Sequence, residues 1–172
     1  MRRFLIGVGV AYLILAAAGW LVVERGWVQA AADRRPGAFE RWAALHSLHT
    51  AIRRESQGLV DPLPSGDESF LRGARVYEAN CLVCHGSADG KASAIARGLN
   101  VSPPQFAFDG VDDDPEGETY WKVKHGIRFT GMPAYGGSLS EEEMWQVTRF
   151  VSHLPHLPPA AATAWQAMPT PR

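Results

Sequence analysis

The residues most able to do chemistry lie in one five-residue stretch, Cys81-Leu82-Val83-Cys84-His85. It contains the only two cysteines of the 172-residue chain, so a disulfide framework is excluded. Cysteines three apart on a helical turn project from the same side. They can form thioethers with the two vinyl groups on one edge of a haem, and the following histidine can then swing under the macrocycle and place a nitrogen on the iron. Three other readings of the motif exist. A redox disulfide needs a thioredoxin-like βαβ context, and no alternating strand-length run is present. A structural zinc site needs a fourth ligand and usually a second pair. A chance match is weakened because both cysteines of the chain fall inside the motif. Covalent attachment of one haem c at Cys81 and Cys84, with His85 as axial ligand, is the expectation.

The second axial ligand must come from elsewhere. Of four methionines, Met1 begins the chain, Met168 lies in its tail, and Met144 falls on the apolar face of a helix, where it reads as a core residue. Met132 sits in Thr130-Gly131-Met132-Pro133-Ala134-Tyr135-Gly136. Small and rigid neighbours there let a loop come close to a flat cofactor. Met132 is the expected ligand and His125 the rival, which would give a bis-histidine site. The choice matters because Met/His ligation raises the reduction potential.

These residues need elements to position them. A helix is expected from Ser69 to about Cys84, leading into the motif. Residues 86–118 are rich in Gly, Pro, Asp and Ser and read as loop, followed by a short helix over Thr119–Lys124 and a Gly-rich loop from Gly126 to Leu139. Ser140 followed by three glutamates is a helix start with a Ser140/Glu143 capping box. Met144, Val147, Thr148, Val151 and Leu154 give that helix one mainly apolar face, and Pro155 ends it. The Pro/Ala-rich tail carries no strong pattern.

Residues Ser69 to Leu157 resemble a class I c-type cytochrome of the bacterial, mono-haem, membrane-anchored kind. Gly73-Ala74-Arg75-Val76-Tyr77 is similar to that family's first helix, Trp145 and Phe150 to the aromatics of its last helix, and Trp121 to Ile127 with Gly131-Met132-Pro133-Ala134 to its methionine region. The resemblance implies an all-α fold around one covalent haem, with the two helices crossing near Gly73. It implies ligation by His85 and Met132, and electron transfer rather than catalysis. It also implies that a proline carbonyl, Pro103 or Pro104, accepts from the other ring nitrogen of His85. Val76, Tyr77, Leu99, Phe106, Ile127 and Phe129 are candidates to pack around the macrocycle.

At the N-terminus Met1-Arg2-Arg3 precedes an uncharged, largely apolar run from Phe4 to Val23. Twenty helical residues span roughly 30 Å, the thickness of a bilayer's hydrocarbon. Trp20 lies near one end, where an interfacial aromatic is expected, and Arg2 and Arg3 should stay cytoplasmic. A cleaved signal peptide is the competing reading, with Ala16–Ala18 or Ala30–Ala32 as cleavage site, but the run is longer than the usual apolar core of one. Either way the remainder is exported, which places the haem domain in the periplasm, and the uncleaved anchor is expected to tether it to the inner membrane.

The expected organisation is therefore an anchor over 1–23, a connector over 24–66, a cytochrome domain over 67–157 and a tail over 158–172. In the connector, Phe39, Trp42, Leu45, His49 and Ile52 recur at helical spacing, so an amphipathic helix over Pro36–Ser56 is expected, and Gly58 to Gly66 reads as a linker. A net charge of −1 gives no pull toward nucleic acid. His46 and His49 read as structural, as do His153 and His156. The acidic run from Asp109 to Glu118 reads as a solvated loop without the EF-hand pattern. Lys122, Lys124 and Arg128 are placed to form a basic rim that steers a redox partner. The expected partners are the membrane and redox proteins that give and take single electrons, or a larger membrane complex of which the chain is a subunit.

Overall fold

The computed structural model describes residues 1–171, which form eight α-helices and one 3-10 turn and, among the described residues, no strand. Two compact units result, one ending at Pro36 and one beginning at Gly37.

The first unit is dominated by α1 (Arg2–Glu24), in which no residue is buried. It is long and apolar enough to cross a membrane.

The second unit holds α2 (Ala38–Glu55), α3 (Asp67–Asn80), α4 (Leu82–His85), α5 (Ala94–Gly98), α6 (Glu116–His125), α7 (Glu141–Ser152) and α8 (Pro159–Ala167). Its centre is the crossing of α3 and α7. A Cβ on Gly73 would stand 2.8 Å from the Phe150 Cβ and closer still to the Gln146 carbonyl, so only glycine lets the backbones meet. Helix α7 starts as its sequence dictates. The Ser140 hydroxyl accepts from the Glu143 amide at 3.2 Å, and Glu143 accepts from the Ser140 amide at 2.8 Å. Trp145, Val147, Phe150 and Val151 are buried along it. Helix α6 packs on α7 through Tyr120, whose ring stacks on Trp145 at 4.0 Å.

Several elements differ from expectation. The helix leading into the cysteine motif stops at Asn80 and restarts at Leu82. The stretch read as loop contains α5, capped by the Ser93 hydroxyl accepting from Ala96 N. The patternless tail forms α8, started by Pro159, and buries Trp165 against Tyr77 at 5.6 Å and Phe150 at 6.1 Å. That helix lacks the polar/apolar alternation of a surface helix, which is why its sequence carries no clear period.

The Gly58–Gly66 stretch is strapped to α7. Arg149 donates to the Asp61 carboxylate at 2.6 Å, to the carbonyls of Leu63 and Pro64 at 2.8 Å, and to the Ser69 hydroxyl at 2.8 Å. In α2 the face that packs on the domain is Leu48, Ala51 and Ile52, with Ile52 fully buried, while Phe39, Trp42 and Leu45 are exposed. The connector helix is thus not one simple amphipathic face.

Candidate cofactor site

The Cys-x-x-Cys-His segment is a single tight turn. Cys81 closes α3 by donating its amide to Tyr77 O at 2.8 Å, and its carbonyl then accepts from Cys84 N at 3.0 Å and His85 N at 2.9 Å. The two thiols therefore project from one side of the turn, with the imidazole directly after them. Leu82, only 7% exposed, pins the turn into the core. The buried Tyr77 hydroxyl closes its far end by donating to Gly86 O at 2.6 Å.

A second segment, residues 103–106, is laced to this turn. The Gln105 side chain donates to Cys84 O at 2.9 Å and to Pro103 O at 3.1 Å, and Phe106 N donates to His85 O at 3.1 Å. The Phe106 ring lies nearly parallel to the His85 ring, 15° apart with centroids at 4.4 Å. His85 Nδ1 is 3.0 Å from Pro104 O. A carbonyl can only accept, so this contact places the proton on Nδ1 and leaves Nε2 as the nitrogen able to ligate. Burial lowers the His85 pKa and favours the neutral ring. Burial, with the neighbouring Cys84, pushes the Cys81 thiol up to about 12, and burial raises Cys84 as well. Among the described residues no group of three or more His, Cys, Asp or Glu side chains converges as a metal-ion site.

The methionine loop approaches from α6. Gly126 ends that helix at φ +65°, where a Cβ would also stand 2.6 Å from the Pro133 carbonyl carbon. The loop folds back on itself: Ile127 N donates to Met132 O at 3.2 Å, and the Thr130 hydroxyl donates to Ile127 O at 2.7 Å while accepting from Met132 N at 3.1 Å. Tyr135 fixes its far side. Its amide donates to Val123 O at 3.1 Å, and its hydroxyl to Asn80 O at 2.8 Å, beside Cys81. Met132, Cys81, Phe106 and Tyr135 are all partly buried against the same core.

The remaining candidates separate. His125 is exposed and tilts against Trp121 at 4.9 Å. Met144 is 3% exposed inside the α3/α7 core. Lys122 is paired with Asp114 at 2.5 Å, which offsets one charge of the expected basic rim, and Lys124 lies 5.6 Å over the Tyr120 ring. Phe129 is 93% exposed and packs against no protein side chain of the core. Sequence reasoning missed Gln105, whose role depends on a contact 21 residues away, and the clasp at Asp89. That carboxylate accepts from Ser87 at 2.9 Å, from Lys91 N at 3.0 Å and from Thr170 in the tail, and the Thr170 contact leads in holding it below the usual carboxylate range.

Residues 68–151 match the family model described as cytochrome c oxidase, cbb3-type, subunit III. The chain is similar to the thiosulfate dehydrogenases of Thiomonas intermedia (34% identical over 94 residues) and Stutzerimonas stutzeri (31% over 94 residues). Those matches cover 52% and 53% of this chain but only 28% and 29% of the relatives, so the chain spans less than a third of their length. Among solved structures, the reducing HAO-like protein complex of Kuenenia stuttgartiensis matches at 26% identity with a TM-score of 0.44, over 55% of this chain and 46% of that one.

Proposed function

Residues 68–151 are a c-type cytochrome domain, and from that premise we propose that the chain is a membrane-tethered, mono-haem carrier of single electrons. A domain of this family implies covalently bound haem c. The residues fit that group: two protonated thiols one turn apart, a neutral imidazole with Nδ1 already committed, and a thioether on a loop packed against the same core. Cys81 and Cys84 would hold the haem edge, and His85 and Met132 its iron. One Cys-x-x-Cys-His motif and no further cysteine support a single haem. When bound, the haem supplies reversible one-electron exchange at iron.

The chain's own residues hold geometry. The Pro104 carbonyl fixes the His85 tautomer, Gln105 and Phe106 fix the ring's orientation, and the Thr130 and Tyr135 hydrogen bonds keep the Met132 loop closed. His85 and Met132 together would hold the iron and would leave no coordination site for a substrate, which supports a carrier and not an enzyme. Helix α1, with Arg2 and Arg3 at its start, supports anchoring in the inner membrane with residues 67–157 in the periplasm. A tether raises the local concentration of a membrane-bound partner.

A second reading, a permanent electron-transfer subunit of a larger membrane redox enzyme, is favoured by the description of the matching family model as an oxidase subunit.

The observation carrying the proposal is the single turn Cys81–His85 with its Pro104 contact. The test is the oxidised and reduced absorption spectrum of the full chain, made in a host with haem c maturation machinery. Sharp low-spin c-type bands are expected, with a weak red band of methionine-ligated ferric iron that Met132→Ala abolishes and His125→Ala leaves. Retention of that band in Met132→Ala would overturn the ligand assignment, and absence of haem would overturn the whole reading. Purification after mild detergent extraction separates carrier from subunit by whether other chains come with it.

A further inference from the structure

Helix α2 carries two apolar faces. Leu48, Ala51 and Ile52 face the domain, where α2 rests on α6, and Ile52 is fully buried. Phe39, Trp42 and His46 recur at three- and four-residue spacing on roughly the opposite side. Their rings form a continuous ridge: Phe39 to Trp42 at 5.8 Å, and Trp42 to His46 at 5.8 Å with planes 13° apart. The ridge is covered by nothing in its own domain, with Phe39 78% and Trp42 61% exposed.

We propose that this ridge lies in the headgroup region of the bilayer that α1 crosses, so that α2 holds the haem domain against the lipid surface. The inference rests on the reading of α1 as a membrane span. Four observations choose lipid as the occupant. Only 13 residues, Arg25 to Gly37, separate α1 from α2, a reach of roughly 45 Å even when fully extended. The ridge occupies the end of α2 nearest that tether. Exposed aromatic side chains are what a helix lying in the interface presents, and Phe39 and Trp42 are both exposed. Finally the ridge is small. Fully covered, Phe39 and Trp42 would bury only about 150–250 Å² each, well below the roughly 800 Å² per partner of a standard protein interface. Shallow insertion helped by a tether needs no such area.

The test uses the full-length holoprotein in nanodiscs of phosphatidylethanolamine and phosphatidylglycerol doped with a diazirine-bearing phospholipid. After photolysis, adducts are mapped by mass spectrometry. Adducts are expected in α1 and on residues 39–46, with none on the Leu48–Ile52 face. The double variant Phe39→Gln/Trp42→Gln should lose the adducts across 39–46, keep those in α1 and keep its haem spectrum. Adducts in α1 with none on 39–46 would overturn the ridge proposal while leaving the span intact. Absence of lipid adducts from 39–46, with another chain that stays bound to the wild type but not to the double variant after mild detergent extraction, would overturn it in favour of a docking surface. Absence of adducts from α1 as well would overturn the span itself, and the ridge proposal with it.

Discussion

His85 and Pro104 meet at 3.0 Å, imidazole Nδ1 to carbonyl oxygen, although 19 residues separate them. One acceptor thereby decides which ring nitrogen is available and how the ring is turned. The contact depends on a loop that is itself held to the motif, since Gln105 donates to Cys84 O and Pro103 O from the residue after Pro104.

Removing that lacing should be felt in stability and at the iron together. Gln105→Leu abolishes both hydrogen bonds and leaves the Cys84 carbonyl without this donor, a cost of about 1–3 kcal/mol. Denaturant unfolding followed by haem absorbance measures it. The reduction potential should shift in the same variant because the His85 ring loses part of its support. An unchanged midpoint and potential would show that Phe106 suffices.

The Asp61–Arg149 pair joins the Gly58–Gly66 stretch to α7 at 2.6 Å, with side chains only 8% and 11% exposed. Breaking a buried pair strands the remaining charge, at about 3–5 kcal/mol. Asp61→Asn should lower the unfolding midpoint accordingly. Its haem spectrum should be unchanged, since neither residue touches the motif. A cost below about 1 kcal/mol would mark the pair as solvent-screened, like an exposed salt bridge.

Trp165 is 7% exposed and closes an aromatic cluster with Tyr77 and Phe150. Trp165→Ala should cost about 3–5 kcal/mol, read as a fall in thermal midpoint. A neutral result would mean that α8 does not contribute to the folded core.

The capping box gives a pH signature. Hydrogen bonds from the Ser140 hydroxyl and amide hold the Glu143 carboxyl below its usual pKa. A depressed folded-state pKa contributes stability above the unfolded value of about 4.3 and loses it as pH falls through the lower folded value. Wild type should therefore exceed Glu143→Gln in thermal midpoint at neutral pH, with the difference closing as pH falls below about 4. A gap that persists at acid pH would locate the effect elsewhere.

Local chemistry is what the sequence by itself determined. The Cys81–His85 turn, the Ser140/Glu143 cap and the apolar run of α1 each depend on residues within a few positions. Periodicity and capping register such features directly. Tertiary structure decided the rest. Which proline carbonyl meets His85, why Gln105 matters, and how Arg149 reaches back to Asp61 are contacts across 19 to 88 residues. The tail became a helix because Tyr77 and Phe150 offered Trp165 a place to be buried, not because its own sequence has a strong period. Helix α2 shows the same limit. Spacing marked Phe39, Trp42 and Ile52 alike as one apolar pattern, but only the position of α6 determined that Ile52 is buried and the aromatic ridge is not.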